Sequence, residues 1–115
     1  MEQLNRIELR GTVGSVKLQT YEGNRVARIN LATNIAYKDR EGAPVIETTW
    51  HNVTAWEGKG VQDLEHIEKG SKLYVQGRLR VQKFMGSDGI EKMVTDVLAN
   101  RIMLIEGEEP LQYEM

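Results

Sequence analysis

The sequence predicts an all-β domain, a five-stranded Greek-key barrel with one α-helix. Apolar and polar residues alternate with a period of two in five separate stretches, which is the pattern of strands that bury one face. Turn-forming residues separate such stretches, most clearly in Gly86-Ser87-Asp88-Gly89. Only one stretch has the wider spacing of a helix. A chain of 115 residues without cysteine suits a single domain that folds without disulfides or metal.

The first half of the chain contains three predicted strands. Residues 7–13 alternate regularly and form the first. A turn over residues 21–24 separates them from the second strand, which covers residues 26–33. Residues 36–44 are polar and form a loop, and the third strand follows over residues 48–56.

The one helical stretch follows the third strand, over residues 58–69. Val61, Leu64 and Ile67 recur every three residues there, and Gly70 provides a C-terminal stop. We therefore predict an α-helix between the third and fourth strands.

Alternation then returns in two further strands, over residues 72–83 and 93–105. The fourth strand directs four residues towards the core: Leu73, Val75, Leu79 and Val81. Five strands with a helix between the third and fourth is the order of the oligonucleotide-binding (OB) fold. Residues 1–105 are the predicted OB domain, and residues 106–115 are a short acidic C-terminal tail.

Both tryptophans lie in the third strand, and an even number of residues separates them. Alternation places Trp50 and Trp56 on one face with Thr48, Asn52 and Thr54, while Val53 and Ala55 share the other. Two indoles on the polar face indicate an exposed platform that stacks on flat rings such as nucleobases. A half-buried barrel wall is the alternative for either indole alone.

Aromatic and basic residues share the outward face of other strands. Arg78, Arg80 and Phe84 have this parity in the fourth strand. Tyr37 and Arg40 lie in the loop before the third strand, and Lys83 lies near the last hairpin. Rings that stack on bases, interleaved with cations that neutralise phosphates, are typical of proteins that bind single-stranded nucleic acid.

The charge balance does not oppose this interpretation. The net charge is -2, but residues 106–115 contribute four glutamates, and the remaining chain has 15 basic and 13 acidic side chains. No nucleophile with its base, paired acid and base, phosphate-binding loop or set of metal ligands has the required spacing, so we predict no catalytic residue, metal or cofactor. The N-terminus lacks a secretory signal, which indicates a cytoplasmic protein.

Several motifs, in this order, resemble the bacterial single-stranded DNA-binding protein (SSB) family. The resemblance covers roughly Asn5 to Ile105. The matching segments are Leu31-Ala32-Thr33-Asn34, Tyr37-Lys38-Asp39-Arg40-Glu41-Gly42, Glu47-Thr48-Thr49-Trp50-His51-Asn52-Val53, Lys69-Gly70-Ser71-Lys72-Leu73-Tyr74-Val75-Gln76-Gly77-Arg78-Leu79-Arg80 and the hairpin from Phe84 to Thr95.

The resemblance implies an OB-fold homotetramer that wraps single-stranded DNA during replication, recombination and repair, and is nucleoid-associated. It implies base stacking on four rings: Tyr37, Trp50, Trp56 and Phe84. It implies backbone contacts from five basic residues: Arg6, Arg40, Lys69, Arg80 and Lys83. The family usually continues through a long linker to an acidic Pro-Phe tip that recruits repair and replication enzymes, whereas this sequence stops at Met115, as a trimmed chain or a naturally short form. Recruitment of such proteins is therefore left open.

Two other functions use the same fold. The ending at Met115 also suits a dimeric accessory protein like the primosomal protein PriB, although the motifs around Tyr37 and Trp50 favour SSB. An OB-fold that binds oligosaccharide needs only the aromatic platform. The interleaved cations and the missing secretory signal make that class the weaker alternative.

Overall fold

The computed structural model describes residues 1–105, and the tail predicted for residues 106–115 lies outside this range. Five strands close a barrel in the order β1-β2-β3-β5-β4. Their bounds are β1 (Ile7–Tyr21), β2 (Asn24–Lys38), β3 (Pro44–Trp56), β4 (Lys72–Met85) and β5 (Glu91–Ile105). Neighbouring strands are antiparallel, except that β3 and β5 run parallel. The predicted five-stranded all-β barrel is confirmed.

The barrel interior is filled by apolar side chains, most of them from the strand residues that face inward. The largest fully buried side chains are Leu31, Leu64, Leu73, Val13, Val53 and Val75. Val53 and Ala55 are buried as the alternation in β3 predicts, while Trp50 and Trp56 are 57% and 39% exposed. The indoles therefore lie outside the core, on the polar face of β3.

The strands are longer than predicted, because β1 continues past Gly14 and β2 continues into the segment predicted as a loop. Gly14 does not end β1; the pairing with β2 shifts by one residue between Val13 and Ser15, so Gly14 is the extra residue of a β-bulge. Likewise, Tyr37 belongs to β2, where it pairs with Val45, rather than to a loop. Only residues 39–43 connect β2 with β3.

The predicted α-helix over residues 58–69 is wrong. The structure has a single 3-10 turn there, Leu64–His66. Gly58 exchanges backbone hydrogen bonds with Val61 at 2.9 and 3.2 Å, and Asp63 has a φ of 59°, which a right-handed helix cannot accommodate. Within residues 1–105, no helix is long and apolar enough to cross a membrane.

The spacing in this segment nevertheless predicted the correct buried residues. Val61, Leu64 and Ile67 are all at most 5% exposed and cover one end of the barrel. Their period of three residues is shorter than the 3.6 of an α-helix, and Leu64 alone of the three lies in the 3-10 turn.

The prediction that Leu79 and Val81 face the core is also wrong, since they are 46% and 56% exposed. The pairing of β1 with β4 ends at Ile7 and Gly77, so among the described strands β4 pairs with β5 alone beyond Gly77. The β4 and β5 hairpin thus extends past the barrel wall, and no core remains for its alternate face to cover.

Candidate nucleic-acid interface

A groove of about 840 Å³ crosses the outer face of the barrel. All five strands contribute to its lining. Its polar and aromatic side chains are Ser15, Lys17, Arg28, Asn30, Asn52, Thr54, Trp56, Arg80, Gln82, Lys83, Phe84 and Asp96. The groove is therefore a mixed surface of rings, amides, hydroxyls and charges, open along the sheet.

Strand register explains why these residues meet. Directly paired residues of antiparallel strands project from the same face, and Lys17 pairs with Arg28, which in turn pairs with Thr54. Asn30 likewise pairs with Asn52, one step along the same face. The outward-facing side chains of β1, β2 and β3 thus form one continuous surface.

Two of the four predicted rings line the groove itself. Trp56 comes from the end of β3 and Phe84 from the extended part of β4. They are 39% and 47% exposed, so each ring has a face available for stacking.

Trp50 shares the outward face of β3 with Trp56 and lies six residues earlier. Its indole lies against β1 at the bulge. A Cβ atom placed on Gly14 would be 2.4 Å from Trp50 Cζ3 and 2.7 Å from Cη2. The indole therefore lies across a site that only glycine leaves open, while 57% of the residue stays exposed.

Tyr37 is not brought together with the other rings. The pairing of β2 with β3 is regular over this segment, and Tyr37 pairs with Val45 while Trp50 pairs with Ala32. Tyr37 therefore has the opposite parity and lies on the other face of the β2 and β3 hairpin from Trp50. Its role in base stacking stays a prediction.

Among the predicted cations, Arg80 has an internal partner at the groove. Its Nε and Nη2 atoms donate hydrogen bonds to the Asp96 carboxylate at 2.8 and 3.1 Å, and Thr54 Oγ1 donates a third at 2.7 Å. Burial would raise the pKa of Asp96, but these hydrogen bonds and the positive charges of Arg80 and Arg28 outweigh it, so the pKa lies below its usual value.

The other predicted cations occupy different positions. Lys83 lines the groove, with Nζ 4.0 Å from the exposed Glu91 carboxylate. Four lie outside its lining: Arg6, Arg40, Lys69 and Arg78. Arg6 is bonded to Glu8 at 3.0 Å. Lys69 precedes Gly70, whose N–H donates to the Val13 carbonyl at 2.8 Å, so its backbone lies close to the bulge beneath Trp50.

Comparison with known proteins supplies the family. A model of the single-strand binding protein family matches residues 4–105. The chain belongs to the single-strand binding protein family. A single-stranded DNA-binding protein of Xanthomonas campestris is 38% identical over 90% of the chain, and one of Neisseria meningitidis is 32% identical over the same share. The chain spans 62% and 61% of the length of these relatives.

Solved structures of the family have the same barrel. The Plasmodium falciparum SSB, in a complex with single-stranded DNA, superposes with a TM-score of 0.79 at 27% identity, covering 92% of this chain and 98% of that one. A deletion variant of the single-stranded DNA-binding protein from Thermus aquaticus gives 0.72 at 28%, covering 90% and 51%. These similarities confirm the OB-fold.

Sequence reasoning missed several residues of this candidate interface. Arg28 and Lys17 line the groove, Asp96 holds Arg80, and Gly14 underlies Trp50. Arg28 has the outward parity in its strand, but only the register with Thr54 distinguishes it from other surface cations.

Two other groups have the chemistry of metal ligands. The Asp63, Glu65 and His66 side chains offer ligand atoms within 4.8 Å of one another, all exposed. Glu65 is paired with Arg25 at 3.2 Å, so the cluster is a surface charge network. His51 is half-buried, its Nε2 is 2.8 Å from Thr33 Oγ1, and burial lowers the pKa of His51.

Proposed function

We propose that this member of the SSB family binds single-stranded DNA with little sequence preference and acts, without catalysis, in DNA replication, recombination and repair. The observation that carries the proposal is a single groove lined by two rings, Trp56 and Phe84, and by cations from three strands, Lys17, Arg28, Arg80 and Lys83. Several relatives are named single-stranded DNA-binding proteins, which supports DNA as the ligand.

Stacking accounts for affinity without base selection. Trp56 and Phe84 present ring faces in the groove, and Trp50 extends the same surface along β3. Every base has a flat face, and each stacked base contributes about 1–3 kcal/mol by alanine substitution. Asn30, Asn52 and Gln82 can form hydrogen bonds with base edges, but three amides do not define a sequence.

Phosphate contacts come from cations around this surface. Lys17, Arg28 and Lys83 line the groove. The outer candidates extend the path along the sheet: Arg6, Arg40, Lys69 and Arg78. The pair with Asp96 occupies the Nε and Nη2 atoms of Arg80, so Nη1 is the nitrogen that lies outside the pair and can contact phosphate.

Fluorescence titration tests the binding function. Both tryptophans lie on the proposed interface, so oligo(dT) should quench their emission strongly, whereas duplex DNA should not. The logarithm of the binding constant should fall with that of salt concentration by about 0.7 per phosphate contacted. Unchanged emission and no binding at low salt would reject the proposal.

The assembly and cellular setting belong to the same proposal. We propose a cytoplasmic, nucleoid-associated homotetramer, in which residues 1–105 form the DNA-binding domain and residues 106–115 an acidic tail. Light scattering at concentrations used for binding distinguishes a tetramer from the dimer expected of a PriB-like accessory protein.

A further inference from the structure

A second depression adjoins the groove beyond Trp56. Its volume is about 190 Å³, and its lining includes Tyr21, Val26, Arg28 and Trp56. Arg28 and Trp56 also line the main groove, so the two depressions share a wall. Tyr21 is 63% exposed, more than Trp56 or Phe84. Tyr21 is therefore a further exposed ring beside the main groove, in addition to Trp56 and Phe84.

Strand pairing places the Tyr21 ring on the same face of the sheet as Trp56. Gln19 pairs with Val26, and Val26 pairs with Trp56, so these three residues form one row across β1, β2 and β3. Tyr21 lies two residues after Gln19 and shares its parity. From strand spacing and rise, the backbones of Tyr21 and Trp56 are roughly 12 Å apart, which is a gap that two large side chains and one base can fill.

The depression has an apolar floor and a cationic side. Val26 is 2% exposed, and Arg28 lines both depressions. An aromatic wall, an apolar floor and a cation together suit a nucleobase with its attached phosphate.

Tyr21 lies at the tip of the hairpin formed by β1 and β2. Tyr21 pairs with Asn24 across a tight turn in which Glu22 and Gly23 have φ values of 51° and 82°, as in a type I′ turn. Next to it, Arg25 forms ion pairs with Glu57 at 3.3 Å and Glu65 at 3.2 Å. The start of β2, which pairs with the end of β1, is thus linked to the segment that follows β3.

We propose that Tyr21, Arg28 and Trp56 form an additional nucleobase subsite, at which one base of the single strand stacks on Tyr21 as the strand leaves the main groove. The subsite rests on the proposed DNA-binding function. It extends the aromatic surface beyond Trp56 and adds one base to the contacted length.

Substitutions of Tyr21 test the flat ring separately from its size and its hydroxyl. Tyr21→Phe should bind long oligo(dT) as the wild type does, because the ring face remains. Tyr21→Leu and Tyr21→Ala should weaken binding by about 5-fold to 100-fold, the effect of losing one stacked base. Oligo(dT) too short to reach beyond Trp56 should bind all four proteins alike.

The outcomes separate the subsite from the function. If the wild type does not bind oligo(dT), the proposed function fails. If it binds and the Leu and Ala variants match it at every length, the function stands and the subsite is rejected. Should these variants lose the fold, photocrosslinking of wild type to oligo(dT) containing 5-iododeoxyuridine decides. Attachment to Tyr21 supports the subsite, and attachment only elsewhere overturns it.

Discussion

Arg80 and Asp96 form a two-point ion pair at the groove, with Nε 2.8 Å from Oδ1 and Nη2 3.1 Å from Oδ2. The Asp96 side chain is 6% exposed and that of Arg80 is 23% exposed. A buried carboxylate at a proposed DNA-binding surface is unexpected by charge alone. Its position means that Asp96 fixes Arg80 and neutralises it.

Replacing Asp96 with asparagine should release the charge of Arg80 to the groove. We expect Asp96→Asn to bind oligo(dT) more tightly at low salt and to increase the salt slope by about 0.7, because one more phosphate is neutralised. The free energy of unfolding should fall by about 1–3 kcal/mol, since a charged hydrogen-bonded pair is lost. Salt-dependent titration and urea unfolding measure the two effects.

Glu91→Gln is the matched control for this variant. It also removes one negative charge close to a groove residue, Lys83. Glu91 is exposed, however, and the distance from its Oε1 atom to Lys83 Nζ is a long 4.0 Å. Exposed pairs of this kind contribute about 0–1 kcal/mol. An Asp96→Asn variant whose salt slope equals that of Glu91→Gln would contradict the release of Arg80.

The pH dependence of unfolding provides a separate test of the pair. The pKa of Asp96 is lowered in the folded protein, so its contribution to stability is present above the pKa of an unfolded aspartate, about 3.9, and is lost as pH falls through the lower folded pKa. We expect the stability difference between wild type and Asp96→Asn to stay constant from pH 7 to 5 and to shrink below about pH 4. A difference that grows on acidification would contradict the assignment.

Sequence alternation correctly predicted which residues of β3 share a face. It could not predict whether that face is covered by the rest of the barrel. Val53 is buried because the barrel closes over it, whereas Leu79 has a similar pattern and is exposed because its strand has passed the barrel wall. Sequence alternation carries no information on where neighbouring strands end. The extension of the β4 and β5 hairpin is set by long-range register.

The interface was predictable as a list of rings and cations but not as an arrangement. β5 lies between β3 and β4, so Asp96 stands between Thr54 and Arg80 and bonds to both. Nothing near Asp96 in the sequence marks this contact. Similarly, the parity of Tyr37 relative to Trp50 depends on β2 continuing to Lys38 without a bulge.

Asn5 stabilises the point where β4 leaves the barrel. Its side chain donates from Nδ2 to the Leu79 carbonyl at 2.6 Å and accepts from the Leu79 N–H at 3.0 Å, in the manner of a strand partner. We expect Asn5→Ala to reduce hydrogen-exchange protection of the Leu79 amide and to lower the free energy of unfolding by about 0.5–1.5 kcal/mol. Gln3→Ala, in the same exposed segment, is the control. Equal protection of Leu79 in both variants would contradict this role.

The glycine beneath Trp50 gives a prediction about binding rather than folding. A methyl group on Gly14 would be 2.4 Å from the far edge of the indole, a contact that the exposed ring can relieve by moving. We expect Gly14→Ala to displace the ring, to weaken oligo(dT) binding by up to the 1–3 kcal/mol of one stacked base, and to reduce the quenching of Trp50. The free energy of unfolding should change by less than about 1 kcal/mol, because no core atom is crowded.

Gly11→Ala distinguishes displacement of a ring from damage to the barrel. Its new methyl group would be 2.2 Å from the Ala32 carbonyl oxygen, which is backbone held in the sheet, so this variant should lose stability first.

A double-mutant cycle then connects Gly14 to the indole. In a Trp50→Ala background, Gly14→Ala should have no further effect on affinity, because the indole that it displaces is gone. Additive losses would mean that Gly14 acts on DNA binding through some other contact than Trp50.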